Sequence, residues 1–422
     1  MQTLRFGDKG VFVQYLQGAL LRAGEEPGEL DGIFGRRTER ALMRLQDCSG
    51  IRADGATDRL TWAALYPYLV GSTFAVLGEG DTPETLAERF GTESSRIRTA
   101  NPSAAFRPGE TIVVPFGFDV VFTELPYSAF LTACVLEGLL LRYPFLAKFS
   151  IGRSVAGRKI DAVRIGAGPL RVGVNAAHHA NEWITTPLVL RFLERYAQAF
   201  AENGMIGGAF ARSLYEGSTL TLVPLVNPDG VDLVTGALSE GDSFYESAKA
   251  LSAFYPDIPF PSGWKANISG VDLNLGYPAG WENARAIKFA SGYTRPGPRD
   301  YVGTRPLEAP EDRAMYDLTL RERYDRAIAY HTQGGEIYWE YRGFAPQGSS
   351  ALAERFAAVS GYTAAEVPYG SSFAGYKDWM IEALRANAFT VEAGRGTNPL
   401  PVGDLPALYS ENEGILTAVL ST

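Results

Sequence analysis

One stretch, residues 172–183, constrains this chain more strongly than any other. It opens with a short apolar run that predicts a buried strand, and a helical pattern begins beyond it, near Ile184. His179 and Glu182 lie in the turn between these elements, in the spacing H-x-x-E. The chain has 3 histidines, and two of them, His178 and His179, are neighbours in this turn. The stretch therefore predicts a polar site at the end of a sheet strand.

The third histidine, His331, follows another apolar run, so it also lies near a predicted strand end. Two histidines and one glutamate form the ligand set of an open catalytic zinc site, which leaves the fourth position for water. The alternative is a chance H-x-x-E with histidines that are ordinary polar residues. We predict that His179, Glu182 and His331 hold one zinc ion. His178 cannot point at the same ion from a regular strand, and we expect it to have a structural or supporting role.

Size and charge limit the classes of function that remain. A chain of 422 residues is expected to form two or three domains. The net charge of -9 disfavours a nucleic-acid role. We expect no membrane span, because the most apolar stretch, 129–141, is short and carries Glu137. Cys48 and Cys134 do not form a disulfide framework.

Residues 1–68 predict a small all-α module in which Thr38 caps the second helix. The module nearly repeats itself, since the turn that begins at Asp31 is echoed by the turn that begins at Asp54. These residues resemble the peptidoglycan-binding domain of three helices. Its signature Asp-Gly-x-x-Gly-x-x-Thr is complete in the first copy, whereas Asp58 replaces a glycine in the second.

Residues 72–117 predict a second small module of order βααβ. Three elements follow one another: Gly80-Asp-Thr, Ala100-Asn-Pro and Pro108-Gly-x-x-Ile-x-Val-Pro. In this order they resemble a LysM domain, which implies binding of glycans that contain N-acetylglucosamine. The alternative is a generic small α+β linker domain.

Residues 120–422 alternate between strand and helix patterns. This alternation predicts an α/β domain with a mixed sheet flanked by helices, and active residues at strand ends. Residues 149–165 predict a two-stranded hairpin, and residues 239–257 read as a poorly periodic surface insert. The chain is therefore expected to be multidomain, with one large α/β domain following two small modules.

Five ordered elements in this large domain resemble the zinc carboxypeptidase family of the carboxypeptidase A type: His179-Ala-Asn-Glu-Trp183, Asn227-Pro-Asp-Gly230, Gly270-Val-Asp-Leu-Asn274, His331 and Val391-Glu392. The resemblance implies a zinc metallopeptidase with the ligands named above. It also implies that Glu392 is the general base that accepts a proton from the attacking water. Lys265, which follows Trp264, matches the family's oxyanion-stabilising arginine, with a surface lysine as the alternative.

Departures from the family pattern concern the substrate. The family's Asn-Arg pair clamps a terminal carboxylate, but here Asn274 is followed by Leu275, which cannot make a bidentate carboxylate contact. Asn274 remains a candidate for substrate binding. Tyr376 is the phenol nearest the family's substrate-side tyrosine, and Arg395 is a candidate to bind a substrate carboxylate in place of the missing arginine.

Segments around Lys265, His331 and Glu392 resemble one branch of that family, the γ-D-glutamyl-diamino acid endopeptidases. The resemblance implies hydrolysis of the γ-D-glutamyl–meso-diaminopimelate bond of bacterial wall peptides. Peptidoglycan or muropeptides would be the partner, with glycan on the LysM-like module and stem peptide in the large domain. Two alternatives remain: a zinc carboxypeptidase or amidase acting on another peptide, and a wall-binding protein whose catalytic domain is inactive. No signal peptide is visible, so the location is left open between the cytoplasm and release to the cell wall, for instance in sporulation.

Overall fold

The computed structural model describes residues 2–421 and contains two compact units. The first unit extends to Pro126 and also includes Phe130–Leu146, whereas the second consists of Tyr127–Ala129 and the chain from Ala147 onward. The domain limits 1–68, 72–117 and 120–422 stay predictions. Across the described residues, no helix combines the length and the apolar character that a bilayer span requires.

A helical module opens the first unit, as predicted. It consists of α1 (Val11–Arg22), α2 (Arg36–Cys48) and α3 (Arg59–Val70). The predicted cap of α2 is wrong. The helix begins at Arg36 with Gly35 at the N-cap position, and the Thr38 hydroxyl instead donates a hydrogen bond to the carbonyl of Pro27. Thr38 is buried inside the first turn, where it ties the helix to the preceding loop.

The near-repeat in sequence is also a repeat in structure. The side-chain oxygen of Gln17 accepts a hydrogen bond from the Gly32 amide at 3.0 Å, and that of Gln46 accepts one from the Gly55 amide at 3.0 Å. Both glutamines are buried, and both turn glycines have a positive φ. Each Asp-Gly turn is therefore held by a glutamine from the helix before it.

The second module has the predicted βααβ order. Its elements are β1 (Ser72–Val76), α4 (Pro83–Phe90), α5 (Ser94–Ala100) and β2 (Thr111–Pro115), and the two strands pair antiparallel. Helix α6 (Ala129–Arg142) follows. The guanidinium of Arg142 donates hydrogen bonds to the carbonyls of Gly71 and Phe118, which fixes the end of α6 to this unit.

An eight-stranded mixed sheet forms the centre of the second unit, which confirms the predicted α/β architecture. The strand order is β11-β10-β12-β9-β5-β8-β4-β3. The strands are β3 (Ala147–Arg153), β4 (Lys159–Gly166), β5 (Leu170–Ala176), β8 (Ser218–Val223), β9 (Arg326–His331), β10 (Glu336–Tyr338), β11 (Thr363–Ala365) and β12 (Asn387–Glu392), and a small hairpin adds β6 (Met205–Ile206) and β7 (Ala209–Phe210).

Helices flank this sheet: α7 (Thr185–Ala201), α8 (Ala211–Gly217), α9 (Pro228–Thr235), α10 (Ser243–Ser252), α11 (Trp281–Ala290), α12 (Pro310–Glu322), α13 (Ser349–Ser360), α14 (Tyr376–Trp379) and α15 (Leu405–Leu420). Helix α10 lies in the segment that the sequence marked as irregular. The Asp242 side chain caps it by accepting a hydrogen bond from the Phe244 amide. Local capping therefore makes this mostly exposed insert helical.

Three adjacent strands position the site. Strand β9 pairs in parallel with β5 on one side and with β12 on the other. The carboxyl ends of parallel neighbours meet at one edge of a sheet, where open α/β sheets bind ligands. Side chains at or just after the ends of β5, β9 and β12 are therefore brought together. His179 and His331 meet here although they are 152 residues apart in the chain.

Candidate metal centre and active-site cleft

Three buried side chains converge at this edge. The Nδ1 atoms of His179 and His331 lie 2.9 Å from the two carboxylate oxygens of Glu182, and 3.1 Å from each other. One ligand atom of each residue lies within 4.8 Å of the others. The sequence prediction that these three residues form one cluster is therefore confirmed.

The backbone after β5 explains why H-x-x-E converges. The strand ends at Ala176, and Ala177 turns the chain with a φ of 53°. A single 3₁₀ turn, Ala180–Glu182, then places Glu182 on the same side as His179. Thr185 holds this turn, because its hydroxyl donates to the Glu182 carbonyl and accepts from the Ala177 amide.

Asp272 orients one of the histidines. Its Oδ1 lies 3.1 Å from His179 Nε2, and its Oδ2 accepts a hydrogen bond from the Asp300 amide at 3.0 Å. Burial opposes ionisation, but His179 beside it holds the pKa of the Asp272 carboxyl far below its usual value. A carboxylate on Nε2 favours a proton there and leaves the Nδ1 lone pair for a metal. The sequence contained Asp272 within a recognised motif, but its role was not predicted.

The residues present fit one zinc ion. Two imidazole nitrogens and one carboxylate are a donor set that zinc uses in catalytic sites. All three donors are nearly inaccessible to solvent, and the outer nitrogen of His179 has the carboxylate partner that such ligands usually have. Burial opposes the charge of Glu182, but His179 and Lys265 keep its pKa well below the usual value, so it is an anionic donor.

Glu392 lies beside this cluster. It is the last residue of β12 and is paired in register with His331. Burial, together with the carboxylate of Glu182, raises the pKa of Glu392 to about 8. Glu392 also lines the same cavity as His179 and Lys265.

Lys265 also reaches the cluster. Its Nζ lies 3.2 Å from Oε1 of Glu182, and its carbonyl accepts a hydrogen bond from the Ala180 amide at 2.9 Å. Burial opposes its charge, but Glu182 and Asp272 raise the pKa of Lys265 above its usual value. The alternative of a surface lysine is disfavoured, since only 18% of its side chain is exposed.

A cleft extends to both sides of these groups. It consists of a first cavity of about 170 Å³ and a second of about 540 Å³. Four residues line both cavities: Lys265, Arg299, Tyr338 and Glu392. Asn274 lines the first cavity, and its side-chain oxygen accepts a hydrogen bond from the Tyr376 amide. Its amide nitrogen is thereby left available to a ligand.

Two predicted substrate-binding residues do not line this cleft in the described part of the chain. Tyr376 is fully buried, and its hydroxyl is hydrogen-bonded to Thr319 at 2.8 Å. Arg395 is exposed, with its guanidinium carbon 5.9 Å from the centre of the Tyr362 ring. A role for either side chain in binding substrate has no support from this geometry.

Several cleft residues were not singled out from the sequence. Tyr338 ends β10 and lines both cavities, and it lies in a segment that already resembled the endopeptidase branch. Arg299 lies in a loop without a recognisable pattern. Asn181 lines the second cavity, and its buried carbonyl oxygen has no hydrogen-bond partner in residues 2–421.

His178 does not belong to the cluster that could hold a metal. It is completely buried, and its Nε2 lies 3.2 Å from the hydroxyl of Tyr277. Its ring stacks on His331 at 5.9 Å between centres. It therefore packs behind a predicted ligand, in the supporting position expected from the sequence.

Comparisons with known proteins agree with this geometry. Residues 133–413 match the family model "Zinc carboxypeptidase", and residues 9–65 match a family of peptidoglycan binding domains. Gamma-D-glutamyl-L-diamino acid endopeptidase 1 of Lysinibacillus sphaericus is 43% identical over 285 residues, covering 68% of this chain and 70% of that protein. The uncharacterized protein YqgT of Bacillus subtilis (strain 168) is 39% identical over 280 residues, covering 66% of this chain and 73% of its own.

Solved structures agree on the fold. Bovine thrombin-activatable fibrinolysis inhibitor, in complex with tick carboxypeptidase inhibitor, aligns with a TM-score of 0.54 at 17% identity and covers 71% of this chain and 97% of its own. A buried His-Glu-His cluster lies at the sheet edge, and both the family model and the curated relatives match. This chain therefore belongs to the zinc carboxypeptidase family.

Proposed function

We propose that this protein is a zinc peptidase that hydrolyses the γ-D-glutamyl–diamino acid bond of bacterial wall peptides. The observation that carries the proposal is the convergence of His179, Glu182 and His331 beside Glu392, in a cleft that continues in two directions. The relative whose printed name specifies a γ-D-glutamyl–L-diamino acid bond supports the choice of substrate.

The protein's own residues divide the work of hydrolysis. When bound by His179, Glu182 and His331, zinc supplies Lewis acidity, which polarises a carbonyl and eases deprotonation of water. Glu392 accepts the proton of the attacking water and delivers it to the leaving amine. The ammonium of Lys265 stabilises the negative charge that develops on the carbonyl oxygen.

The cleft favours an internal bond over a C-terminal one. Leu275 lines the first cavity at the position where the family resemblance expects an arginine, so a terminal carboxylate loses its bidentate partner there. The second cavity gives room for substrate on the other side of Glu392. Asn274 would contribute a hydrogen bond to the part of the substrate in the first cavity.

The N-terminal unit is proposed to bring the enzyme to its polymer. The match of residues 9–65 to peptidoglycan binding domains supports peptidoglycan as the partner. We further propose that the βααβ module of β1, α4, α5 and β2 binds glycan in the manner of a LysM domain. In this arrangement the glycan is held by the N-terminal modules and the stem peptide by the large domain.

Mass spectrometry of defined digests tests the proposal. The zinc-loaded protein is incubated with the tetrapeptide L-Ala-γ-D-Glu-meso-diaminopimelyl-D-Ala, in which the γ-D-glutamyl bond is internal, and, separately, with an ordinary peptide that has a free C-terminal residue. We expect release of L-Ala-D-Glu and diaminopimelyl-D-Ala from the first substrate, loss of this activity with a chelator, and its loss in Glu392→Gln.

Two results would refute the assignment. Stepwise release of C-terminal residues from the ordinary peptide at a higher rate would make the protein a general carboxypeptidase. Stoichiometric zinc without turnover of either peptide would indicate a wall-binding protein with an inactive catalytic domain.

A further inference from the structure

Two cations in the first cavity share a single carboxylate. Lys288 Nζ lies 2.6 Å from one oxygen of Asp300, and Arg299 Nε lies 2.6 Å from the other. All three residues line the cavity that contains His179 and Glu392. Lys288, Arg299 and Asp300 together have a formal charge of +1, and Asp272, which lines the same cavity, also interacts electrostatically with Arg299.

Lys288 and its carboxylate partner are largely buried, whereas 43% of the Arg299 side chain is exposed. Only 15% of the Lys288 side chain and 12% of the Asp300 side chain are exposed. Nε is the guanidinium nitrogen of Arg299 that has a protein partner in residues 2–421, so both terminal nitrogens are available. A partly desolvated cation without a full partner is costly, and an anionic ligand would offset that cost.

The backbone of Asp300 is linked to the predicted metal ligands through Asp272. The Asp300 amide donates a hydrogen bond to Asp272, whose other oxygen contacts His179. Asp300 has a φ of 63°, a left-handed conformation that non-glycine residues adopt at an energetic cost. The loop therefore positions Arg299 and Asp300 relative to the predicted ligands, and Lys288 contacts Asp300 from α11.

A second ion pair lines the cavity, and its positive and negative charges are equal in number. Lys377 Nζ lies 2.6 Å from Asp378 and donates a second hydrogen bond to the Glu340 carbonyl at 2.6 Å. One cation meets one carboxylate here, and both side chains are almost completely buried. Of these two groups, the one formed by Lys288, Arg299 and Asp300 has more cations than carboxylates.

We propose that Lys288 and Arg299 form a carboxylate-binding pair that recognises a free carboxylate of the substrate near the bond that is cleaved. This inference rests on the proposed function. In the γ-D-glutamyl–diaminopimelyl-D-alanine substrate the carboxyl group next to the acylated nitrogen is an amide. The two residues that flank the bond then have two free carboxylates, the α-carboxylate of D-Glu and the distal carboxylate of the diamino acid. Either group matches the planar guanidinium and ammonium donors of the pair.

Four peptides distinguish the two sources. The parent peptide contains D-Glu and meso-diaminopimelate. In one analogue L-lysine replaces diaminopimelate, which removes the distal carboxylate and keeps both amino groups. In another, the D-Glu α-carboxylate is an amide, and the fourth peptide combines both changes. The ratio of kcat/KM between parent and analogue measures the recognition of each carboxylate.

For the wild type we expect kcat/KM of the parent peptide to exceed kcat/KM of one analogue by roughly tenfold to a hundredfold. This is the range for a hydrogen bond to a charged group. Lys288→Met and Arg299→Met should each reduce that same ratio while retaining turnover of the corresponding analogue. Lys288→Arg should retain the wild-type ratio. The matched control is Lys249→Met, because Lys249 is also ion-paired but lies at the exposed pair with Glu240.

Zinc content and the thermal midpoint of each variant show whether it is folded, and the half-exposed Arg299 offers a second route if Lys288→Met is unstable. The carboxylate that the pair binds is the one missing from the analogue for which the variants lower the parent-to-analogue ratio of kcat/KM. Unchanged ratios in both folded variants would overturn the proposed role of the pair and leave the peptidase proposal intact. Absence of turnover of all four peptides by the wild type would overturn the proposed function and this inference with it.

Discussion

Asp272 offers a direct test of the metal centre, because it can be changed without touching a predicted ligand. Its carboxylate contacts His179 Nε2 at 3.1 Å and accepts hydrogen bonds from the amides of Asn274 and Asp300 at 3.2 and 3.0 Å. His331 has no equivalent support, since its buried Nε2 lacks a partner in the described residues. Asp272 therefore orients one predicted ligand, His179.

In Asp272→Asn the side chain keeps its shape but loses its charge and one acceptor oxygen. Loss of such an outer partner typically weakens metal affinity about 10- to 100-fold, or roughly 1.4 to 2.8 kcal/mol. We expect the dissociation constant for zinc to rise by this factor, because His179 is then free to adopt the wrong tautomer or ring angle.

Titration of the metal-free protein with zinc against a competing chelator measures this change. Asp229→Asn is the matched control, since Asp229 is equally buried and accepts three hydrogen bonds, from Ser154, Ala156 and Arg158, outside the cleft. It should affect stability and leave zinc affinity unchanged. A folded Asp272→Asn protein with wild-type zinc affinity would refute the argument that this carboxylate orients His179.

Further predictions concern catalysis, pH and packing. Glu392→Gln should lower kcat by roughly 10²- to 10⁴-fold with full zinc content, and a loss of zinc instead would make Glu392 a ligand. Burial raises the pKa of Glu311 to about 7 from 4.5, so its contribution to stability is complete below pH 4.5 and is lost as the pH rises through 7. Unfolding of the wild type across this range should show a loss of about 3 kcal/mol that Glu311→Gln lacks, and parallel curves would contradict this cause. Gly173→Ala should destabilise the protein by about 1 to 3 kcal/mol, because the new Cβ would lie 2.7 Å from the Tyr324 ring. Gly403→Ala is its control in thermal unfolding, since nothing lies within 4 Å of that position.

The local sequence pattern predicted most strands and helices, but it did not predict where helices begin. Apolar runs predicted β5 and β9 correctly, and the order βααβ was found as expected. The start of α2 was missed because threonine suits a cap, but here Thr38 bonds to Pro27 across a loop. Helix α10 was missed because its apolar periodicity is weak and its Asp242 cap is a local feature within an otherwise exposed insert.

Some of the residues that were predicted to face the substrate line the cleft, and others do not. Asn274 and Lys265 were predicted from motifs and do line the cleft, but Tyr376, chosen only as the nearest phenol in sequence, is buried against Thr319. Tyr338 instead lines both cavities. Proximity along the chain does not determine which side of a helix or strand faces a cleft.

The sequence by itself determined the candidate zinc ligands of this protein, because His179, Glu182 and His331 lie near the ends of predicted strands, where active residues of α/β sheets gather. The role of Glu392 came from the family resemblance. Only the tertiary structure decided what surrounds them. Asp272, Arg299 and Lys288 come from loops and a helix that carry no periodic signal, and their positions depend on packing between segments distant in the chain. A ligand set follows from strand order, whereas the charge and shape of a cavity follow from the packing of everything around it.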